Sequence, residues 1–271
     1  MTEDLTYRTV DGQPLLARLY RSQRADVLVV EVHGGAWSQN DRTTNAAIHQ
    51  YLAASGVAVL ALDFRLAPAH RYPAAIEDVN YGIRWAKANA ARLGLRPKLI
   101  GGLGTSSGGQ QVVLSALRPD DRRYAVSDAA LAGHDARLDF VVACWPILDP
   151  LARYRMAQAK GLKNLVNAHH AFWPDEAAMT EGNPQLIVER GAATSKPPML
   201  VLQGTADENV EHERADRFVE AYRKAGGEIE LAKFEGQPHT FIVKDPAAPA
   251  SKQALEKIGA FVRQRLDVRS Q

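Results

Sequence analysis

A chain of 271 residues with 46% apolar and 24% charged residues carries enough apolar side chain for one large core, which excludes wholesale disorder. That length suits a single α/β domain better than two ordinary ones. A net charge of +2 with both signs interspersed excludes the dense basic face of a nucleic-acid or anionic-membrane binder and leaves a small, largely neutral ligand as the expected partner.

In chain order, "LTYRTV" and "PLLARLY" flank Asp11-Gly12 and predict an opening hairpin. Six further strands are predicted in "DVLVVEV" (26–32), "VAVLALDF" (57–64), "PKLIGGL" (97–103), "DFVVACW" (139–145), "PMLVLQG" (198–204) and "IELAKFE" (229–235). Between them, residues 44–55, 74–93, 108–117, 211–225 and 251–266 have helical spacing of apolar positions. In the second of these helices, Ile76, Val79, Ile83, Ala86, Ala90 and Leu93 fall along one side and Gly94 supplies the stop. Strands alternating with such crossovers predict one mostly parallel eight-stranded sheet with helices on both faces, in a single domain over 1–271.

Two connections, 118–138 and 151–197, are too long for ordinary links between strands and helices. The second contains "YRMAQAKGLKNLVNAHHAFW" and predicts a small helical cap inserted over 151–197. The only cysteine, Cys144, lies in the apolar run "FVVACWPIL" and is read as a packing residue. A lone cysteine, an acidic start without an apolar leader and no bilayer-length apolar stretch predict a soluble, cytoplasmic protein.

The chemistry centres on "LIGGLGTSSGG", a strand that runs into a glycine-rich turn and then a helix. From Gly102 the third glycine of a dinucleotide fingerprint is missing, and no lysine lies where a phosphate loop needs one. Gly104-Thr105-Ser106-Ser107-Gly108 does satisfy G-x-S-x-G between strand and helix, which makes Ser106 the candidate nucleophile. Ser107 would need glycine at 105, where threonine stands, so its expected contribution is a backbone N–H.

Serine needs a base, and the base needs an orienting acid. His239 in "EGQPHTF" follows the last strand and sits at the same sheet edge as the elbow; Asp207 in "GTADENV" follows the strand before it. Asp149 in "PILDP" is the alternative acid, with Glu208 beside Asp207. The glycines of "EVHGGAW" allow the N–H groups of Gly35 and Ala36 to join that of Ser107 in an oxyanion hole.

Together these residues resemble the α/β-hydrolase superfamily, and within it the hormone-sensitive-lipase-like esterases. The likeness runs from about Val27 to the C-terminal helix and includes "LDFRLAPAHRYPAAIEDV", similar to that group's D-Y-R-L-A-P-E stretch. The resemblance implies structural roles for Asp63 and Arg65, hydrolysis of carboxylic esters, and no metal or organic cofactor. "HGGAW" lacks the third glycine usual in that group and is also similar to the motif of kynurenine formamidases and feruloyl-esterase-like proteins, and only 32 residues precede His33, too few for the group's N-terminal helical cap.

Trp37, Trp145, Phe172 and Trp173 are candidate walls of an apolar substrate pocket, and His169-His170 is read as a solvated helix end. The expected activity is that of a serine carboxylesterase acting on a small, mainly apolar acyl ester; an amidase of the formamidase kind or a non-catalytic small-molecule binder on the same fold are the alternatives. The expected partner is a small-molecule ester or amide, with no nucleic acid and no membrane. Oligomeric state stays open, a homodimer included.

Overall fold

The computed structural model describes residues 2–24 and 26–270. Eight strands among them form one sheet: β1 (Thr2–Val10), β2 (Gln13–Tyr20), β3 (Val27–Val32), β4 (Val57–Leu62), β5 (Leu99–Thr105), β6 (Val141–Cys144), β7 (Met199–Gly204) and β8 (Ile229–Phe234). Their spatial order is β1-β2-β4-β3-β5-β6-β7-β8. The hairpin β1–β2 joins β4 antiparallel, and from β4 to β8 all neighbours are parallel. This is the mostly parallel eight-stranded sheet that the alternation of strands and helices predicts, in the α/β-hydrolase arrangement that the resemblance implies.

The central strands are buried on both sides, and period-two alternation assigns their side chains to two cores. In β3, Leu28, Val30 and Val32 enter one core, while Val27 and Val29 enter the other. The first core packs against α2 (Ala74–Asn89), α3 (Ser107–Leu117) and α8 (Glu213–Lys224); the second lies under α1 (Ala46–Ala54), α9 (Phe241–Lys244) and α10 (Pro249–Ser270). Between β6 and β7 the chain forms α4 (Pro150–Ala159), α5 (Lys163–Phe172), α6 (Glu176–Glu181) and α7 (Pro184–Glu189). Asp149, Asp175 and Asn183 cap α4, α6 and α7 through their side-chain oxygens, which is why this segment breaks where it does.

Element ends differ from the sequence expectation where a side chain has another partner. The helix predicted from residue 44 begins at Ala46, because the Asn45 side chain turns inward to Glu31 and Thr105. The strand predicted to reach 145 ends at Cys144, because Trp145 takes a positive φ of 42°. The 118–138 connection contains only a short 3₁₀ turn, Ala129–Leu131. Side-chain bonds from α2 hold it instead: Asn80 to the Pro119 carbonyl, Arg84 to the Val126 carbonyl, and Tyr81 to the Asp128 carboxylate. Among the described residues no helix is long and apolar enough to cross a membrane.

The segment after β4 is fastened by ion pairs. Asp78 is fully buried on α2 and pairs with Arg8 of β1 and, at 2.9 Å, with Arg65 Nε. Asp63 accepts from the backbone N–H of Arg42 at 2.8 Å and from its guanidinium at 2.7 Å. Removing one partner of a buried pair leaves the others desolvated and unpaired, so Asp78→Ala is expected to destabilise the fold by about 3–5 kcal/mol. A urea unfolding curve for the variant beside the wild type measures this directly.

Candidate active site

Ser106 sits at the turn from β5 to α3 with φ 52° and ψ −118°, a region that side chains other than glycine rarely occupy. The turn is held on both sides: Ser106 N–H donates to the Cys144 carbonyl at 2.9 Å, and the Ser106 carbonyl accepts from Ile147 N–H at 3.1 Å. Gly108 follows because α3 presses on the end of β3; a Cβ there would lie 2.1 Å from the Val32 carbonyl oxygen. The two adjacent serines have different fates. Ser106 keeps 7% exposure, whereas Ser107 is fully buried and its Oγ accepts from the Trp37 N–H at 3.2 Å.

The loop after β8 brings His239 over the strand ends. Its Nε2 lies 3.0 Å from Ser106 Oγ, and its Nδ1 lies 2.7 Å from Asp207 Oδ2. An ionised carboxylate only accepts, so Nδ1 carries the proton and Nε2 is left bare to accept from the serine hydroxyl. Thr240, in the left-handed region at φ 61°, turns the chain directly after the imidazole. Burial alone would raise the Asp207 pKa, but the bond from His239 and the N–H groups of Val210 and Asn209 outweigh it and hold the carboxyl below its ordinary value. Gln203, the last polar side chain of β7, adds a 3.0 Å bond to Oδ2.

The loop after β3 lies against the elbow. A Cβ on Gly34 would be 3.1 Å from that of Ser106, and Gly34 N–H donates to Thr105 Oγ1 at 2.9 Å. Gly35 has a positive φ of 126°, with the Gln39 carbonyl 2.2 Å from where its Cβ would stand, so only glycine fits. With Gly34 and Trp37 N–H groups engaged, those of Gly35, Ala36 and Ser107 have no hydrogen-bond acceptor among the described residues. Free amides beside a bare imidazole and a hydroxyl are the donors an anionic tetrahedral centre requires. His33 is not a second base here: burial lowers its pKa, and its Nδ1 donates to the Gly34 carbonyl at 2.7 Å.

Asp149 is elsewhere, accepting from the Ala152 N–H at 3.0 Å and from Asn183 Nδ2 at 2.8 Å at the head of α4. Cys144 is fully buried, and burial pushes its thiol well above the ordinary range.

The expected substrate walls need correction. Trp37 and Phe172 are 0% exposed, and Trp145 and Trp173 are 1% exposed, so none offers surface to a ligand. Trp37 and Phe172 stack at 5.1 Å with an interplanar angle of 1°, and Trp173 meets Trp37 edge-on at 5.8 Å. Trp145 lies edge-on to His239 at 6.3 Å and to Phe241 at 5.5 Å, backing the imidazole. Trp37, Phe172 and Trp173 join the cap to the oxyanion loop, and apolar area shared between two elements is removed from water before any substrate arrives. His169 is likewise not solvated. It is fully buried, and its Nε2 receives Arg153 Nη1 at 2.9 Å. Burial, then the Arg153 charge, lowers its pKa to about 2, so it stays neutral.

Several buried polar residues at the site escape sequence reasoning. Glu31 Oε1 accepts from Asn45 Nδ2 at 2.7 Å, and that same nitrogen reaches Thr105 Oγ1 at 3.0 Å. His49 Nε2 lies 2.9 Å from Glu31 Oε2, off the line of a straight hydrogen bond. A lone glutamate in the apolar run "VLVVEV" was the available signal. Arg153 of α4 binds both the carbonyl of Asn209, at 3.1 Å, and its side-chain oxygen, at 2.5 Å, thereby bracing the loop that carries Asp207; nothing in the cap's sequence marks it.

A cavity of 510 Å³ opens between the turn into α5, with Leu162, Lys163 and Leu165, and Glu208 and Asn209 of the acid loop. A groove of 760 Å³ lies near Tyr20, Arg21 and Gly56, at the opposite end of the parallel strands from Ser106. Among the described residues no group of three or more His, Cys, Asp or Glu side chains is arranged to hold a metal ion.

Comparison with known proteins bears on this geometry. The BD-FAE family model matches residues 19–222. The chain is 30% identical over 224 residues to the esterase LipC of Mycobacterium tuberculosis, covering 81% of this chain and 54% of that protein. It is 24% identical over 275 residues to the ethyl acetate hydrolase of Pseudomonas putida, covering 97% and 82%. The chain thus spans about half the length of the first relative and four fifths of the second. Esterase 2 of Thermogutta terrifontis, solved after phosphoramylation by tabun, superposes with a TM-score of 0.76 at 25% identity, over 97% of this chain and 94% of that one.

A fluorophosphonate is expected to attach to Ser106 and to leave Ser107 unmodified. Peptide mass mapping after labelling checks this, with Ser106→Ala taking up no reagent; modification at Ser107 instead would contradict the assignment of the bare imidazole.

Proposed function

The chain belongs to the BD-FAE family, and on that premise we propose that it is a serine carboxylesterase cleaving small, mainly apolar acyl esters through an acyl-enzyme. The observation that carries this reading is the continuous contact from Asp207 to His239 at 2.7 Å and from His239 to Ser106 at 3.0 Å, with unengaged amides alongside. The relatives' names, an esterase and an ethyl acetate hydrolase, support an ester with a small acyl group. The lone thiol, Cys144, suits a reducing compartment and supports a cytoplasmic setting.

In the proposed reaction, Ser106 Oγ adds to the ester carbonyl as its proton passes to His239 Nε2. The carbonyl electrons move to oxygen, which accepts from the N–H groups of Gly35, Ala36 and Ser107. Asp207 stabilises the imidazolium without taking its proton. Collapse breaks the bond to the alcohol oxygen, which leaves with the proton from Nε2. Water then adds to the acyl-serine, giving its proton to Nε2, and the second collapse returns that proton to Ser106 Oγ and releases the carboxylic acid.

Only a group on the imidazole can orient it, so Asp207→Asn is expected to lower kcat by about 10⁴-fold. Asp149→Asn should retain most of the activity, because Asn caps a helix as well as Asp does. Hydrolysis of p-nitrophenyl esters by the two variants measures both effects, and the reverse ranking would move the acid to Asp149. Against N-formyl-kynurenine, turnover is expected to be far slower than with p-nitrophenyl acetate or butyrate. Preferential cleavage of the formamide in a direct kinetic comparison would replace the esterase reading with the amidase one.

A further inference from the structure

Gln110 is fully buried on α3, one turn beyond the nucleophile, and its N–H donates to the Ser106 carbonyl at 3.2 Å. Its side-chain amide faces two other parts of the molecule. Oε1 accepts from Trp37 Nε1 at 3.0 Å, and Nε2 donates to the Gly182 carbonyl at 3.0 Å. An indole N–H only donates and a carbonyl only accepts, so this amide orientation satisfies both and the flipped one satisfies neither.

The partners lie on different elements. Trp37 ends the oxyanion loop, and Ala36 and Trp37 are both in the left-handed region, at φ 51° and 62°. Two successive residues in that conformation persist only where their surroundings over-determine them. For Trp37 those surroundings are the Ser107 Oγ under its N–H, Gln110 at its indole nitrogen and the Phe172 ring stacked on its face. Gly182 ends α6 in the cap, where a Cβ would lie 2.8 Å from both Trp173 and Tyr72.

We propose that Gln110 is a positioning residue that ties the oxyanion loop to the seated cap, so that the alignment of the Gly35 and Ala36 amides beside Ser106 depends on cap docking. The proposal rests on the esterase reading above. Without the Gln110 amide, the Trp37 indole N–H is buried without a partner, and the loop loses one of the three contacts that fix Trp37. The oxyanion exists in the transition state and not in the bound ester. Misaligned donors therefore lower kcat and leave KM nearly unchanged.

The test is a double-mutant cycle of Gln110→Met and Trp37→Phe on the full chain, with p-nitrophenyl butyrate as substrate and an alkyl boronic acid as tetrahedral mimic. Each single variant is expected to lose about tenfold or more in kcat, with a parallel loss of boronate affinity and KM within about twofold. The double variant should be no worse than the poorer single one, because both changes break the same bond. Undiminished kcat, a rise in KM alone, or losses that multiply would overturn the proposal. Thermal melting monitors folding; if Gln110→Met does not fold, Trp37→Phe, which keeps one ring against Phe172 but removes the indole N–H together with the five-membered ring, decides the matter by whether kcat and boronate affinity fall while KM holds. A wild-type protein that neither turns over the ester nor takes up a fluorophosphonate at Ser106 would overturn the esterase reading itself. An active, labelled wild type whose variants keep full kcat overturns only the role of Gln110.

Discussion

The site depends on one imidazole being held in one orientation and one tautomer between a carboxylate and a hydroxyl. His239 meets this condition because Asp207 accepts the Nδ1–H hydrogen bond at 2.7 Å, which keeps the proton on Nδ1 and leaves Nε2 facing Ser106 at 3.0 Å. The strands carrying serine and acid, β5 and β7, are separated by β6, a span of roughly 10 Å at the usual strand spacing. A histidine on the loop beyond β8 bridges that span. The parallel sheet therefore serves to deliver three side chains to one edge, and its two apolar cores make the edge rigid enough to keep them there.

Rigidity at that edge is supplied by buried polar contacts as well as by apolar packing. Asp207 accepts from two backbone amides at Oδ1 and from Gln203 and His239 at Oδ2, so both carboxylate oxygens are held. Thr105 accepts from Gly34 of the oxyanion loop and from Asn45, and Asn45 is anchored in turn on Glu31. Leaving any of these groups unpaired would be expensive in a low-dielectric interior, and that expense enforces the geometry. Arg153 extends the same logic to the cap: its guanidinium grips both oxygens of Asn209, whose N–H supports Asp207.

The cap is part of the interior, not a cover laid over it. Phe172 and Trp173 close on Trp37, while Tyr72, next to Trp173 at 4.7 Å, comes from the loop before α2. The oxyanion loop, the loop before α2 and the cap thus share one aromatic cluster. Its rings act on the chemistry by fixing the backbone that carries the amides.

What could be read without coordinates was whatever local chemistry writes into adjacent positions. Period-two and helical spacing gave the strand order in sequence and the crossover helices, since burial on one face or two dictates apolar residues at fixed intervals. The elbow was legible because the sharp turn needs small residues at set offsets from Ser106, and the threonine at 105 excluded Ser107. His239 and Asp207 were legible from their places after strands whose ends share an edge. What stayed hidden depends on pairs far apart in the chain. Gln110, Arg153 and Asn45 look like ordinary polar residues until Trp37, Asn209 and Glu31 are brought beside them, and Trp37, Trp145, Phe172 and Trp173 look like a pocket until Phe172 and Trp173 close on Trp37 and Phe241 packs on Trp145. By itself the sequence determined the fold class and the identity of the chemical groups, because both follow from short-range pattern; only the tertiary structure decided which side chains face a ligand and which brace the backbone, because burial is a property of the closed surface and not of any segment.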